Sequence, residues 1–107
     1  MDELWRRFHE VVNMTSRELI DWLWMEPDLV PQPGPPQPPP LGVAVLKLLG
    51  KRRVDLTEDD LETMRKVIEV VEDETADVPY ERMLADERRR HRLLNVGHDP
   101  LRRHRPV

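Results

Sequence analysis

The stretch KRRVDLTEDDLETMRKVIEVV, Lys51–Val71, contains a helix start followed by a long apolar stripe at helical spacing. Thr57 stands where an N-cap belongs, and Asp60, three residues on, takes the place of a capping-box glutamate. Leu56 and Leu61 flank them at the positions of a hydrophobic staple. Glu58, Asp59 and Asp60 put negative charge on the positive end of the helix dipole. Leu61, Met64, Val67, Ile68 and Val71 then recur three and four residues apart, which lines one face of an α-helix with Val70 at its margin.

The flanking segments repeat this helical logic. Leu4, Trp5, Phe8, Val11 and Val12 form one amphipathic face, and Asn13 breaks the pattern. Thr15 and Glu18 form a second capping box, with Met14 and Leu19 as its staple. The helix they open carries Leu19, Ile20, Trp22, Leu23, Trp24 and Met25, apolar over more than half its circumference. Trp22 and Trp24 are about 200° apart on such a helix, so both cannot point inward. Leu41 to Leu49 reads as a short helix facing inward with Leu41, Val45, Leu48 and Leu49, closed by Gly50 as a C′ residue. A last helix is expected from Pro79 to Val96, apolar at its two ends and solvated in the middle, where the chain reads ADERRRHR. Gly97 is its expected stop, and Pro100 prevents its resumption. The expectation is a single all-α domain of four or five helices, with residues 101–107 as a flexible basic tail.

One segment departs from this regime. Residues 27–40 read PDLVPQPGPPQPPP, with eight prolines in fourteen positions, and proline permits neither a helix nor an internal strand there. As polyproline II it would reach about 43 Å at roughly 3.1 Å per residue. Pro33/Pro36 and Pro36/Pro39 have the spacing of aromatic-groove ligands, but the basic residue such ligands carry beside the motif is missing. A spacer is the expected role.

Composition narrows the functions. The 107 residues include no cysteine, which excludes disulfide frameworks, thiolate metal sites and cysteine nucleophiles and suits a reducing cytoplasm. No apolar run approaches the roughly 20 residues a membrane span needs, and MDELWRRFHE lacks the apolar centre of a signal peptide. A cytoplasmic location with no membrane partner is expected. The net charge of −4 hides an asymmetry. Residues 55–77 hold ten acids against Arg65 and Lys66, whereas residues 78–107 hold eight arginines against four acids.

Most of the chain outside the proline segment resembles a known family. Val12-Asn13-Met14-Thr15 with Glu18-Leu19 and Trp22-Leu23 is one matching stretch. Asp55-Leu56-Thr57 with Asp59-Asp60 and Met64-Arg65-Lys66-Val67 is a second, and Asn95 with Gly97-His98-Asp99-Pro100-Leu101 a third. These are similar to the family catalogued as the domain of unknown function DUF3140, of which the Gly-His-Asp-Pro-Leu ending is the most specific piece. The resemblance implies a small helical protein and, because some members are labelled DNA-binding, a lean toward nucleic acid. Two features depart from the family: the prolines replace a Gly/Ser-rich polar segment, and Val96 stands where a tryptophan is usual.

The helix–turn–helix suggested by Leu41–Leu49 and Glu58–Val71 meets a physical objection. Its recognition helix would present Glu58, Asp59 and Asp60 to a polyanion. A better phosphate surface combines Arg88, Arg89, Arg90 and Arg92 with Arg102, Arg103 and Arg105, extended by Lys51, Arg52 and Arg53. Pairing of those arginines with the acidic middle of the same chain is the competing expectation. His91 continues an apolar face, and His98-Asp99 is expected to lock the helix end through backbone hydrogen bonds rather than to hold a metal. Nucleophile spacings, an HExxH pattern, a phosphate-cradling glycine loop and an EF-hand loop are all lacking, so neither an enzyme nor a cofactor is expected. The first functional expectation is a nucleic-acid-associated protein, with DNA as partner. The alternative is a protein-interaction or homodimerisation module presenting Trp22 or Trp24.

Overall fold

The computed structural model describes residues 2–25 and 38–102. Six α-helices account for most of these residues: α1 Asp2–Val11, α2 Ser16–Met25, α3 Pro40–Leu49, α4 Glu58–Thr75, α5 Tyr80–Ala85 and α6 Glu87–Leu94. A 3-10 turn at Arg53–Asp55 joins α3 to α4, and no strand occurs among the described residues. The chain is all-α, as its periodicity requires.

Both capping boxes form. Thr57 N–H donates to Asp60 Oδ2 at 2.9 Å and Asp60 N–H donates to Thr57 Oγ1 at 3.2 Å. At the start of α2, Thr15 N–H donates to Glu18 Oε1 at 2.8 Å and Glu18 N–H returns the bond to Thr15 Oγ1 at 3.1 Å. Each box satisfies two backbone groups that a helix N-terminus would otherwise leave open.

α4 is the spine, running four residues beyond Val71 and packing on α1, α3 and α6. Its Met64, Val67 and Val71 are buried against Phe8, Val11 and Val12 of the first segment and Val45 and Leu48 of α3 within one core. Leu19 and Leu23 carry α2 into the same core, and Met83, Leu93 and Val96 add the C-terminal part.

Three local expectations are corrected. The helix expected from Pro79 to Val96 is broken at Asp86. Asp86 leaves helical geometry at φ −106° and ψ 82°, and its carboxylate accepts from Arg89 N–H at 3.0 Å, so the residue acts as the N-cap of α6. Gly50 has φ −90°, so its position does not need glycine's left-handed freedom. Leu101 and Arg102 are not part of a free tail: Leu101 N–H donates to Asp99 Oδ1 at 3.0 Å, and Arg102 pairs with Glu18.

Gly97 does behave as the expected stop. It sits at φ 89°, with His98 N–H donating to Leu93 O at 2.9 Å and Gly97 N–H to Leu94 O at 3.0 Å, the bonding of a Schellman ending.

The proline segment falls outside the described residues except for 38–40, where Pro40 is the first residue of α3. The helices α2 and α3 on either side of it are in contact. A Cβ placed on Gly42 would lie 2.8 Å from Leu23 Cδ2, so the start of α3 abuts the end of α2. The spacer role expected of this segment lies outside the described residues.

Candidate functional site

The expected phosphate surface is largely occupied by the chain's own acceptors. On α6, Arg89 donates to Asp86 Oδ2 at 3.2 Å and to the Glu74 backbone oxygen at 2.8 Å. Arg90 donates to the carbonyls of Met83 at 2.9 Å and of Leu84, which ties the C-terminal end of the short α5 to α6. Arg92 Nε and Nη2 both reach Glu74 Oε2 at 2.8 Å. Glu74 belongs to α4, so the acidic middle does neutralise the arginine helix, but through its C-terminal end rather than through Glu58, Asp59 or Asp60. Arg88, by contrast, is exposed and makes no hydrogen bond or ion pair among the described residues.

The basic triplet divides likewise. Lys51 Nζ donates to Asp60 Oδ2 at 2.6 Å, binding the α3–α4 turn to the first turn of α4. That ammonium, followed by the Thr57 N–H, holds the Asp60 carboxyl below the usual carboxylate range. Arg52 pairs with Asp55 at 2.9 Å, and Arg53 is exposed. Arg102 donates to the Asn13 carbonyl and pairs with Glu18. The Glu18 carboxyl is lowered to about 2 by Arg102 first and the Thr15 N–H second. Arg103 and Arg105 lie outside the described residues.

The histidine expectations resolve into structure. His98 Nδ1 lies 2.6 Å from the Val11 carbonyl, and because a carbonyl only accepts, Nδ1 carries the proton. Burial lowers the His98 pKa from its ordinary value against that hydrogen bond and the nearby Asp99. The Asn13 side chain brackets Asp99: Nδ2 donates to Asp99 O at 3.0 Å and Oδ1 accepts from Asp99 N–H at 2.7 Å. Gly97 O accepts from Asn13 N–H at 3.1 Å and Met14 N–H at 3.2 Å. Residues 97–102 are thus a clasp on the α1–α2 turn. Among the described residues no group of three or more His, Asp or Glu side chains is placed to hold a metal ion.

The two tryptophans of α2 separate as their angular spacing demands. Trp22 is half-buried, its Nε1–H donating to Asn95 Oδ1 at 2.8 Å and its ring edge-on to His91 at a centroid distance of 5.0 Å. Trp24 is 52% exposed, and Ile20, one turn earlier, and Met25 are 41% and 81% exposed. Asn95 and Gly42 escaped the sequence reading of this region. The available signal was weak: a half-buried indole N–H needs an acceptor, and a glycine inside an apolar helix suggests close approach.

Two concavities accompany these surfaces. One of about 430 Å³ between α3 and α4 is lined by Leu41, Glu62, Thr63, Arg65, Lys66 and Glu69, with Arg65 and Glu62 paired at 3.0 Å. The other, of about 260 Å³, is lined by Arg88, His91, Arg92 and Asn95. Among the described residues no helix is long and apolar enough to cross a membrane.

Comparison with known proteins places the chain. The model of the family described as "Protein of unknown function (DUF3140)" matches residues 7–94. The chain belongs to the DUF3140 family. The matched span runs from α1 to the end of α6, so it covers the helical core and the Trp22 side of the Asn95 bond. It stops before Gly97, so the clasp through His98 and Asp99 lies beyond the DUF3140 match. The family's description states no activity and does not carry the DNA-binding label that the resemblance implied. No curated protein matches the chain, and no solved structure does.

Proposed function

We propose that the protein is a non-catalytic binding module that associates with a second copy of itself through the outer stripe of α2. The observation behind this reading is the grouping of Ile20, Trp24 and Met25, three exposed large apolar side chains on one helix. Scattered single apolar residues need no explanation, but neighbouring ones with an aromatic anchor are a common interface composition. Ile20 and Trp24 are four residues apart, so two α2 helices can pack stripe on stripe. Trp22 is excluded from this role because its indole is held by Asn95. Sedimentation equilibrium at low and high salt tests the reading. A dimer that persists at high salt and is abolished by Trp24→Glu is expected; a strictly monomeric wild-type chain at about 100 μM would refute it.

A second reading, association with DNA through the basic face, is supported by Arg88, whose guanidinium is uncommitted among the described residues, with Arg52 and Arg53 also exposed. Intramolecular pairing of Arg89, Arg90 and Arg92 weighs against it, since it commits much of that face's hydrogen-bonding capacity to the chain's own acceptors. Retention on DNA at about 50 mM salt, lost steeply as salt rises, is the expected result, and absence of retention there ends this reading.

A further inference from the structure

The 260 Å³ concavity on α6 is lined by two arginines, a histidine and an asparagine. Arg88, His91, Arg92 and Asn95 occupy positions i, i+3, i+4 and i+7 and therefore share one face. Arg88 brings a guanidinium that is unpaired among the described residues. Arg92 is fixed from behind, with Nε and Nη2 on Glu74, which leaves Nη1 for the concavity.

Asn95 supplies the deciding geometry. The indole N–H of Trp22 can only donate, so the Asn95 atom 2.8 Å away must be the carbonyl oxygen. The carboxamide is thereby oriented, and Asn95 Nδ2, which makes no hydrogen bond among the described residues, keeps both its protons as donors. Gly42 secures this arrangement from the other side, because its missing side chain lets α3 approach the Asn95 backbone. His91 packs edge-on against Trp22, and its Nε2 lies 3.5 Å from Glu87 at the margin. No carboxylate lines the concavity itself.

We propose that this face of α6 is a binding site for a phosphate group, held by Arg88, Arg92 and Asn95, with His91 completing its lining. A tetrahedral oxyanion suits donors spread over two helical turns, whereas a planar carboxylate is saturated by one guanidinium fork. The phosphate could belong to a free nucleotide or to a nucleic-acid backbone, and the two sources share this chemistry. The site does not depend on association through α2. It also differs from diffuse binding by the whole basic face, because three named side chains carry it.

The test is an NMR titration of the ¹⁵N-labelled full chain, following the Trp22 indole N–H and the Asn95 side-chain amide. Three probes are used at low salt: inorganic phosphate, a nucleoside monophosphate and a short oligodeoxythymidine. Saturable shifts of both resonances with at least one probe are expected, weakened roughly tenfold by Arg88→Ala, which removes a charge-assisted contact. Arg82→Ala, a substitution of another exposed arginine on α5, should leave the affinity unchanged. Saturation by the monophosphate identifies a free-nucleotide site, and saturation by the oligonucleotide alone identifies a backbone site. The proposal is overturned if neither resonance moves with any probe, or if the shifts survive Arg88→Ala. Binding of the monophosphate without DNA retention would leave this site standing while ending the DNA reading.

Discussion

Replacing Asn13 by alanine tests the clasp directly. Asn13 Nδ2 donates to Asp99 O at 3.0 Å and Asn13 Oδ1 accepts from Asp99 N–H at 2.7 Å, so the substitution deletes two hydrogen bonds between groups far apart in the chain. Each such bond contributes about 1 kcal/mol net, and the two Asp99 backbone groups left half-buried without partners add to the loss. A destabilisation of about 2–3 kcal/mol follows. For a domain near 100 residues this lowers Tm by about 8–12 °C. Asn13→Asp, which keeps one acceptor but sets a carboxylate oxygen against the Asp99 carbonyl, should be at least as destabilising. Thermal unfolding followed by circular dichroism at neutral pH measures both variants. A Tm for Asn13→Ala within about 2 °C of wild type would show that the clasp adds nothing to stability and would refute the reasoning.

Two further outcomes follow from local geometry. Gly42→Ala should cost roughly 2–3 kcal/mol in urea unfolding, because its Cβ would fall 2.3 Å from the Asn95 carbonyl oxygen, a backbone atom with little freedom to move. Gly50→Ala, whose nearest neighbour would be 3.6 Å away and whose φ is negative, should be tolerated. His98 predicts a pH dependence: burial lowers its folded pKa below the ordinary 6.5, so the unfolded chain takes up a proton that the folded chain refuses. Stability should therefore be full above pH 6.5 and decline as pH falls below it, and His98→Asn should flatten the urea midpoint between about pH 7.5 and 5.

What the sequence made legible was local. The Thr15 and Thr57 boxes, the inward faces of α1 and α4 and the Gly97 stop depend on residues within one or two turns of each other, and each formed as expected. The break at Asp86 was hidden because the residues that follow it are charged: a solvated helix and a capped helix start look alike when no apolar stripe crosses the junction. The roles of Asn13, Asn95 and Gly42 were illegible for a different reason. Their partners are Asp99, Trp22 and the Asn95 carbonyl, and no periodicity links positions 53 to 86 residues apart. The arginines of α6 sit between these cases. Their number suggested a phosphate surface and their neighbours an internal pairing, but the choice of Glu74 and of the α5 carbonyls as partners came only from the fold.

The clasp also sets an order of assembly. Asn13 and Met14 donate their backbone N–H groups to the carbonyl of Gly97, so the turn between the first two helices stays open until residue 97 has been synthesised. Domains are made N-terminal end first, and closing a loop of this length costs entropy that its own few bonds repay only once the intervening helices have docked. The α1–α2 pair is therefore made well before the residue that completes its turn. Chains not yet synthesised as far as residue 97 would carry that unfinished turn, with the half-exposed stripe of α2 immediately after it.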